Sequence, residues 1–404
     1  MSKLDELIQQ LCPDGVEYKL LGEVCNSISD GSHNPPKGVG ESSYIMISSQ
    51  NIQPNGLSFD NVRYLTTEDF EKENKRTNVS SGDVLLTIVG TIGRSYVVKE
   101  NDPKLTLQRS VAILHPSKKI NSYFLHYYLL EINSVLNRLA NGAAQKGIYL
   151  NQLSDIEIPL PPLPVQEEIV RILDTFTEST NNLKEQIQTR RKQYEYYRDQ
   201  LLDLKGKDGV EMKTLGEIGE FIRGTGIQKA DFVEDGFPCI HYGQIHTKYG
   251  LSANSTLSNV NEALYHRSRK AEYGDVVLAT TSEDAECVAK PVAWLGKEKV
   301  AISGDAYIFH HKENGKYMAH LFSSHRFFLF KIKHATGAKV VRISGDNMAK
   351  FEFPLPSLQE QHRIVTILDQ FEASIANLEA QLKEREKQYE YYRNQLLDFK
   401  KKEE

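Results

Sequence analysis

Residues 158–205 and 353–400 can be laid on one another without a gap, and 28 of the 48 paired positions are identical. Weaker matches come before each copy. Gly15-Val-Glu-Tyr-Lys-Leu-Leu-Gly-Glu matches Gly209-Val-Glu-Met-Lys-Thr-Leu-Gly-Glu, Gly82-Asp-Val matches Gly274-Asp-Val, and Gly142-Ala-Ala matches Gly337-Ala-Lys. Self-similarity of this kind marks a tandem duplication, so whatever one half of the chain builds, the other must build again. At 404 residues the chain also exceeds what a single hydrophobic core serves. The expected organisation is a first domain over 1–157, a helical spacer over 158–205, a second domain over 206–352 and a second spacer over 353–404.

Within the spacers the apolar positions step by four and three throughout. The first copy has Ile169, Leu173, Phe176, Thr180, Leu183, Ile187, Arg190, Tyr194, Tyr197, Leu201 and Leu204. The second has Ile364, Leu368, Phe371, Ile375, Leu378, Leu382, Arg385, Tyr389, Tyr392, Leu396 and Phe399. Five heptads of this pattern specify a coiled coil. Arg190 and Arg385 occupy the same seam position, which suggests register control or a snorkelling side chain. The proline leads (Pro159, Pro161, Pro162, Pro164; Pro354, Pro356) end a strand and allow a helix to begin. Each helix should be about 54 Å long at about 1.5 Å per residue. The short linker Lys205–Gly209 then favours an antiparallel pair with one domain at each end of the rod.

The domain segments hold short β-branched runs: Tyr44–Ile47, Val84–Val89, Tyr96–Val98 and Ser110–Leu114 in the first, Pro238–Tyr242, Asp275–Thr280 and Ala306–Phe309 in the second. Gly, Asn, Asp and Pro separate them, so each domain reads as mostly β with one or two helices, near 121–140 and 316–333. The fold class is α+β: two mostly β domains alternating with two long helices that pair as an antiparallel coiled coil, in a pseudo-two-fold tandem repeat.

Candidate catalytic motifs fail on their own chemistry. Asn34-Pro-Pro-Lys37 lacks the aromatic side chain that would stack a flipped base. Asp14 and Glu17 with Lys19 are too close together for a nuclease metal site, and Asp208, Glu211 and Lys213 repeat them at the start of the second domain. No phosphate-binding Gly-rich loop is present, and His310-His311 has no partners at metal spacing. No cofactor or metal is expected. Cys12, Cys25, Cys239 and Cys287 are scattered, which fits small buried hydrophobes better than a metal knuckle or disulfide framework. No apolar run suits a signal peptide or a membrane span, so a cytoplasmic protein with no membrane partner is expected. The net charge is −5, and none of the four segments departs from neutrality by more than three charges. That argues mildly against a chain that grips nucleic acid alone.

The duplication, the Pro-Leu-Pro leads, the Ile-Val-x-Ile-Leu-Asp helices (Ile169 to Asp174, Ile364 to Asp369) and the strand Gly82-Asp-Val-Leu-Leu-Thr87 together resemble the specificity subunits of type I restriction-modification systems. The resemblance covers the whole chain and is most specific in the repeated helices. It implies that each variable domain is a target recognition domain reading one half of a split site in double-stranded DNA. It also implies that the helices set the gap and dock two methyltransferase subunits, with restriction and translocation subunits joining, and that this chain is not itself an enzyme. Half-sites about one DNA turn apart, about 34–36 Å, suit such a rod, and partner subunits would supply phosphate contacts that an acidic chain lacks.

Amides and arginines make bidentate contacts to base edges. On that ground the expected DNA-binding residues are Gln50, Asn51, Thr91, Arg94, Gln108, Arg109 and Lys146 in the first domain, and His241, Gln244, Lys248, Thr281, Lys290, Lys339 and Arg342 in the second. Tyr196 and Tyr391 fall outside the seam of the repeated Tyr-Glu-Tyr-Tyr-Arg and are expected to bind the methyltransferase or to pack on a recognition domain. Two other readings share the architecture: a coiled-coil adaptor whose β domains bind protein or glycan, and, more weakly, a self-sufficient enzyme.

Overall fold

The computed structural model describes residues 2–140, 146–337 and 339–403. Of the matched triplets, Gly142-Ala-Ala and Ala338 therefore fall outside the described residues. The chain divides into two compact units. The first combines residues 1–182 with 381–404, and the second is residues 183–380. Both boundaries fall inside a long helix (Leu163–Leu202 and Leu358–Leu397).

The first unit is built on a four-stranded antiparallel sheet in the order Cys25–Asp30, Val111–Pro116, Val84–Thr87, Ser95–Val97. Strand Val84–Thr87 is buried at every position, and its alternation explains how. Val84 and Leu86 face Phe124, Leu125, Ile169 and Leu173, while Leu85 faces Ile45, Ile47, Leu105 and Leu107 of a smaller three-stranded sheet. A strand covered on both faces must be apolar throughout. The second unit repeats the scheme in a five-stranded sheet ordered Gly219–Arg223, Ala306–His311, Val276–Ala279, Lys290–Trp294, Ser252–Ala253. Val276 and Leu278 pack with Tyr317, Phe327, Ile364 and Leu368. Val277 and Ala279 pack with Ile240, Trp294 and Ile302.

The matched triplets mark shared supports. Gly82 and Gly274 sit at φ +89° and +95°, a region that favours glycine. The following Asp83 accepts from the Ser80 N–H at 2.7 Å and meets His115 Nδ1 at 2.7 Å; Asp275 accepts from Glu272 at 2.7 Å and meets His310 Nδ1 at 2.8 Å. The Gly-Val-Glu-x-Lys matches feed strands Tyr18–Leu20 and Glu211–Thr214, which pair with Glu157–Pro159 and Glu352–Leu355 just before each long helix. His310 and His311 thus serve the sheet, and among the described residues no cluster of metal ligands occurs. Three cysteines are buried as expected, but Cys287 is exposed. Among the described residues no helix is long and apolar enough to cross a membrane.

Two helices expected as single elements are broken. Ser122–Glu131 and Asn133–Leu139 replace one. Gly315–Phe322 and His325–His334 replace the other, because Ser324 accepts from the Phe327 N–H and caps a new helix.

Each long helix is pinned to the domain before it by a buried glutamine. Gln166 accepts from the Asn121 N–H at 2.7 Å and donates to the carbonyls of Pro161 and Lys119. Its counterpart Gln361 accepts from Asn314 at 3.0 Å and donates to Pro356 and to the Glu313 carboxylate. Inside the first unit the start of the first helix runs antiparallel to the end of the second. Phe176 stacks on Tyr392 at 5.2 Å with the Arg385 guanidinium over its ring at 5.7 Å. Inside the second unit Phe371 stacks on Tyr197 at 5.4 Å beneath Arg190. The seam arginine therefore covers an aromatic face. Tyr197 and Tyr392, expected in the seam, remain 47% and 42% exposed because they stack at its edge.

Gln361→Leu should destabilise the protein by about 1–3 kcal/mol for each buried group left unpaired, read as a lower urea midpoint. A midpoint equal to wild type would remove the junction from the account. His320 is fully buried, with Nδ1 2.9 Å from the Tyr194 hydroxyl, and burial pushes its imidazole down to about 3. The unfolded chain takes up that proton first, near pH 6.5. Stability present above pH 6.5 is therefore lost as the pH falls toward 3. His320→Gln should flatten the dependence of Tm on pH between 6.5 and 4.5, and an unaltered slope would exclude it.

Candidate nucleic-acid interface

In the first unit the strand exits gather at one edge. Gln108 N–H donates to the Ile47 carbonyl at 2.9 Å, Arg109 N–H to Ser32 at 2.9 Å, and Ser49 N–H to the Ser110 hydroxyl at 3.0 Å. Val89 bridges to Gly147, which brings Lys146 beside the turn that carries Thr91. Arg94 ties that turn to the next loop through the Gln53 side chain at 2.9 Å and the Ile52 carbonyl. All seven nominated residues of this domain thus meet at one edge. Gln50, Thr91, Arg109 and Lys146 are exposed there, and Gln108 and Arg94 are half-buried.

Asn51 differs from the rest. It is 3% exposed, and its amide is fully engaged: it accepts from the Ser48 backbone at 2.9 Å and donates to the carbonyls of Ser58 and Asp60 at 3.1 Å. A side chain so occupied shapes the 48–60 loop.

The second unit repeats the backbone part of this bonding, with the accepting hydroxyl moved from the place of Ser110 to that of Gln108. Ser303 N–H donates to Ile240, and Tyr242 N–H to the Ser303 hydroxyl at 2.8 Å. Gln244 stands where Asn51 stands, accepting from the His241 N–H at 3.4 Å and donating to Ser258 at 2.8 Å. Thr281 pairs with Arg342, as Val89 pairs with Gly147. The Thr281 hydroxyl donates to Asp305 at 3.3 Å and its carbonyl meets His246 Nε2, while Lys290 reaches the His246 carbonyl at 3.1 Å. His241 is 6% exposed and caps the Tyr242–Thr247 helix with Nδ1 accepting from Gly243, and burial lowers its pKa. Burial likewise lowers Lys290. Lys248, Lys339 and Arg342 stand exposed.

Sequence reading passed over other groups that the fold brings to these edges. An open groove of about 670 Å³ in the first unit is lined by Asp30, His33, Arg76, Arg109, Tyr149 and Asn151, among others. Arg76 pairs with the Asp30 carboxylate and donates from Nε to its carbonyl at 2.9 Å, and His33 meets the same carboxylate at 2.7 Å. In the second unit Arg223 donates to the Gly304 carbonyl at 2.9 Å, and Arg269 to the Arg223 carbonyl at 3.0 Å. These residues lie far apart in the chain, so no local pattern announces them. On the long helices Tyr196 and Tyr391 are 62% and 57% exposed, each edge-on to the next tyrosine, rather than packed on a recognition domain.

The duplicated α+β units with polar loops at one edge and aromatic-bearing helices define a two-module recognition protein. Comparison with known proteins identifies the class. The type I restriction modification DNA specificity domain matches twice, over residues 13–190 and 207–387. A type I restriction enzyme specificity subunit of Escherichia coli is 33% identical over 70% of this chain and 73% of its own length. A putative specificity subunit of Haemophilus influenzae is 30% identical over 76% and 79%. The fold is shared with a type I S subunit from M. genitalium (TM-score 0.56, 15% identity, 95% of this chain and 96% of that one). The chain belongs to the type I restriction-modification specificity subunits, which recognise DNA and are not catalytic.

Asn51→Ala should cost about 1–3 kcal/mol, since it strands buried backbone groups, whereas Gln50→Ala should be neutral within about 0.5 kcal/mol. Urea unfolding of both variants distinguishes a loop support from a free side chain, and equal midpoints would contradict the assignment.

Proposed function

We propose that each repeat reads one half of a bipartite site in double-stranded DNA through the loop edge described above, and that the paired helices position the methyltransferase and restriction subunits that act on it. The observation that carries this reading is the retention of one bonding scheme behind two differently furnished edges. Asn51 and Gln244 hold equivalent loops, while the side chains displayed on those loops differ.

In the first repeat Gln50, Thr91, Gln108, Arg109 and Lys146 are the reading and phosphate-contacting groups, with Arg94 and Asn51 shaping the loops that carry them. In the second, Lys248, Lys339 and Arg342 face the DNA, while His241, Gln244, Thr281 and Lys290 support them. Arginine and amide groups suit guanine and adenine edges in the major groove. Tyr196 and Tyr391 sit at equivalent positions of the repeat, so two copies of one partner can be met in the same way, and exposed tyrosines are favoured at protein interfaces. Two methyltransferase subunits, one per repeat, follow from that equivalence. The complex works in the cytoplasm, where its DNA lies.

Co-expression with the neighbouring methyltransferase, followed by single-molecule mapping of modified bases, should give a split motif with a fixed gap. A continuous motif would contradict one half-site per repeat, and a stable complex without methylation would count against DNA reading altogether. Tyr196→Ala with Tyr391→Ala should weaken assembly of that complex without lowering the Tm of this chain.

A further inference from the structure

Residues Asn314–Gly345 include six lysines and arginines and no aspartate or glutamate, in a chain that holds 54 acidic residues. The matching stretch of the first repeat, Asn121–Leu150, has two cations, Arg138 and Lys146, and one carboxylate, Glu131, which pairs with Arg393. The match is structural, because Asn121 and Asn314 both donate to the buried helix glutamines, and Ile148 and Ile343 donate to the equivalent Ile88 and Thr280 carbonyls.

Two of the six cations are already engaged. Lys316 pairs with Asp369 at 2.5 Å, and buried Lys331 donates to the carbonyls of Glu286 and Val288. Arg326, Lys333, Lys339 and Arg342 are exposed, and none has a carboxylate partner among the described residues. Four other exposed arginines are neutralised, Arg76 by Asp30, Arg171 by Glu168, Arg191 by Glu379 and Arg363 by Glu360, while Arg109, Arg138, Arg267 and Arg269 also have no carboxylate partner among the described residues.

The four free cations follow one edge of the second unit. Arg326 and Lys333 are seven residues, or about two turns, apart, so they share a face of the His325–His334 helix. Directly after it, Thr336 and Arg342 exchange two backbone hydrogen bonds of 2.8 Å, which returns the chain to Thr281, the register partner of Arg342. Lys331 fastens the same helix to the loop that follows Thr281. The stripe is therefore continuous with the edge assigned to DNA.

We infer that Arg326 and Lys333, together with Lys339 and Arg342, form a phosphate-contact surface for double-stranded DNA, giving the second repeat a sequence-independent grip that the first does not match. This rests on the DNA-recognition reading above and adds to it where backbone affinity is located. Uncompensated like charges repel one another, and a polyphosphate backbone removes that repulsion while releasing counterions. The helix also exposes Leu329 and Ile332, at 50% and 44%, on the neighbouring stripe, so a protein occupant is the alternative that the test must separate.

The test uses the full chain co-assembled with its methyltransferase subunits, and fluorescence anisotropy on a duplex bearing the mapped motif and on a scrambled duplex, across salt concentration. Arg326→Ala with Lys333→Ala should make the slope of log K against log salt shallower by about 0.9 per lost contact, about two in all. The change should be the same on both duplexes, with the methylated sequence unchanged. Arg326→Lys with Lys333→Arg should keep the wild-type slope. An unaltered slope in the alanine variant, with normal wild-type binding, overturns the surface alone. An unaltered slope accompanied by loss of subunits on size exclusion reassigns the face to protein docking. A wild-type complex that binds neither duplex overturns the surface and the proposed function together.

Discussion

The hydrophobic core of the first unit cannot be completed from one continuous stretch of chain. Leu397, 3% exposed, is part of the first core, with Leu396 and Phe399 packed against it, although the domain that forms the rest of that core ended some 240 residues earlier. Leu202 and Leu204, at the end of the first helix, enter the core of the second unit, whose residues all fall within the single stretch 183–380. Each long helix therefore serves two cores, the domain before it with its first half and the other repeat's unit with its second. The 28 identities in 48 positions lie mostly in the first and last thirds of the spacer, where Ile169, Leu173, Ile364 and Leu368 at one end and Leu202 and Leu397 at the other enter the cores.

The helical period was readable because apolar side chains at four-three spacing have one way to be covered. Strand Val84–Thr87 was readable for a related reason, since a strand buried on both faces is apolar without interruption. What stayed hidden depended on polar groups acting locally. Ser324 stops one helix and starts the next by capping, yet apolar residues continue on both sides of it, so the period masks the break. The second sheet of the second unit includes strands of two residues, such as Phe232–Val233 and Lys270–Ala271, too short for any alternation to show. The seam arginines were visible as a departure from the pattern, but only packing shows that each guanidinium lies over a phenylalanine ring.

Choosing residues for recognition by chemical type picked out groups that the fold brings to one edge and mixed two roles at it. Asn51, Gln244 and His241 have the groups that read bases, but Asn51 and His241 engage them with backbone N–H and C=O groups of the loops, and Gln244 with the His241 N–H and the Ser258 hydroxyl. A polar side chain near a strand exit is as useful for building a loop as for presenting one, and composition cannot separate the uses. Counting charge over whole domains lost a second signal. The second domain is close to neutral in sum, yet its cations are gathered between Asn314 and Gly345 and its carboxylates lie elsewhere.

The two edges also show why equivalent chemistry need not occupy equivalent positions. By backbone bonding, Gln108, Arg109 and Ser110 of the first repeat correspond to Ser303, Gly304 and Asp305 of the second. Arg109 lines a groove; Gly304 leaves that slot without a side chain, and its carbonyl instead accepts from Arg223 at 2.9 Å. A guanidinium is thus present beside the same turn in both repeats, delivered by the turn itself in one and by the end of a neighbouring strand in the other. Because the support is carried by backbone and by buried amides, the displayed groups can move between strands without disturbing the sheet. That separation lets two copies of one domain keep a fold while displaying different groups at their edges.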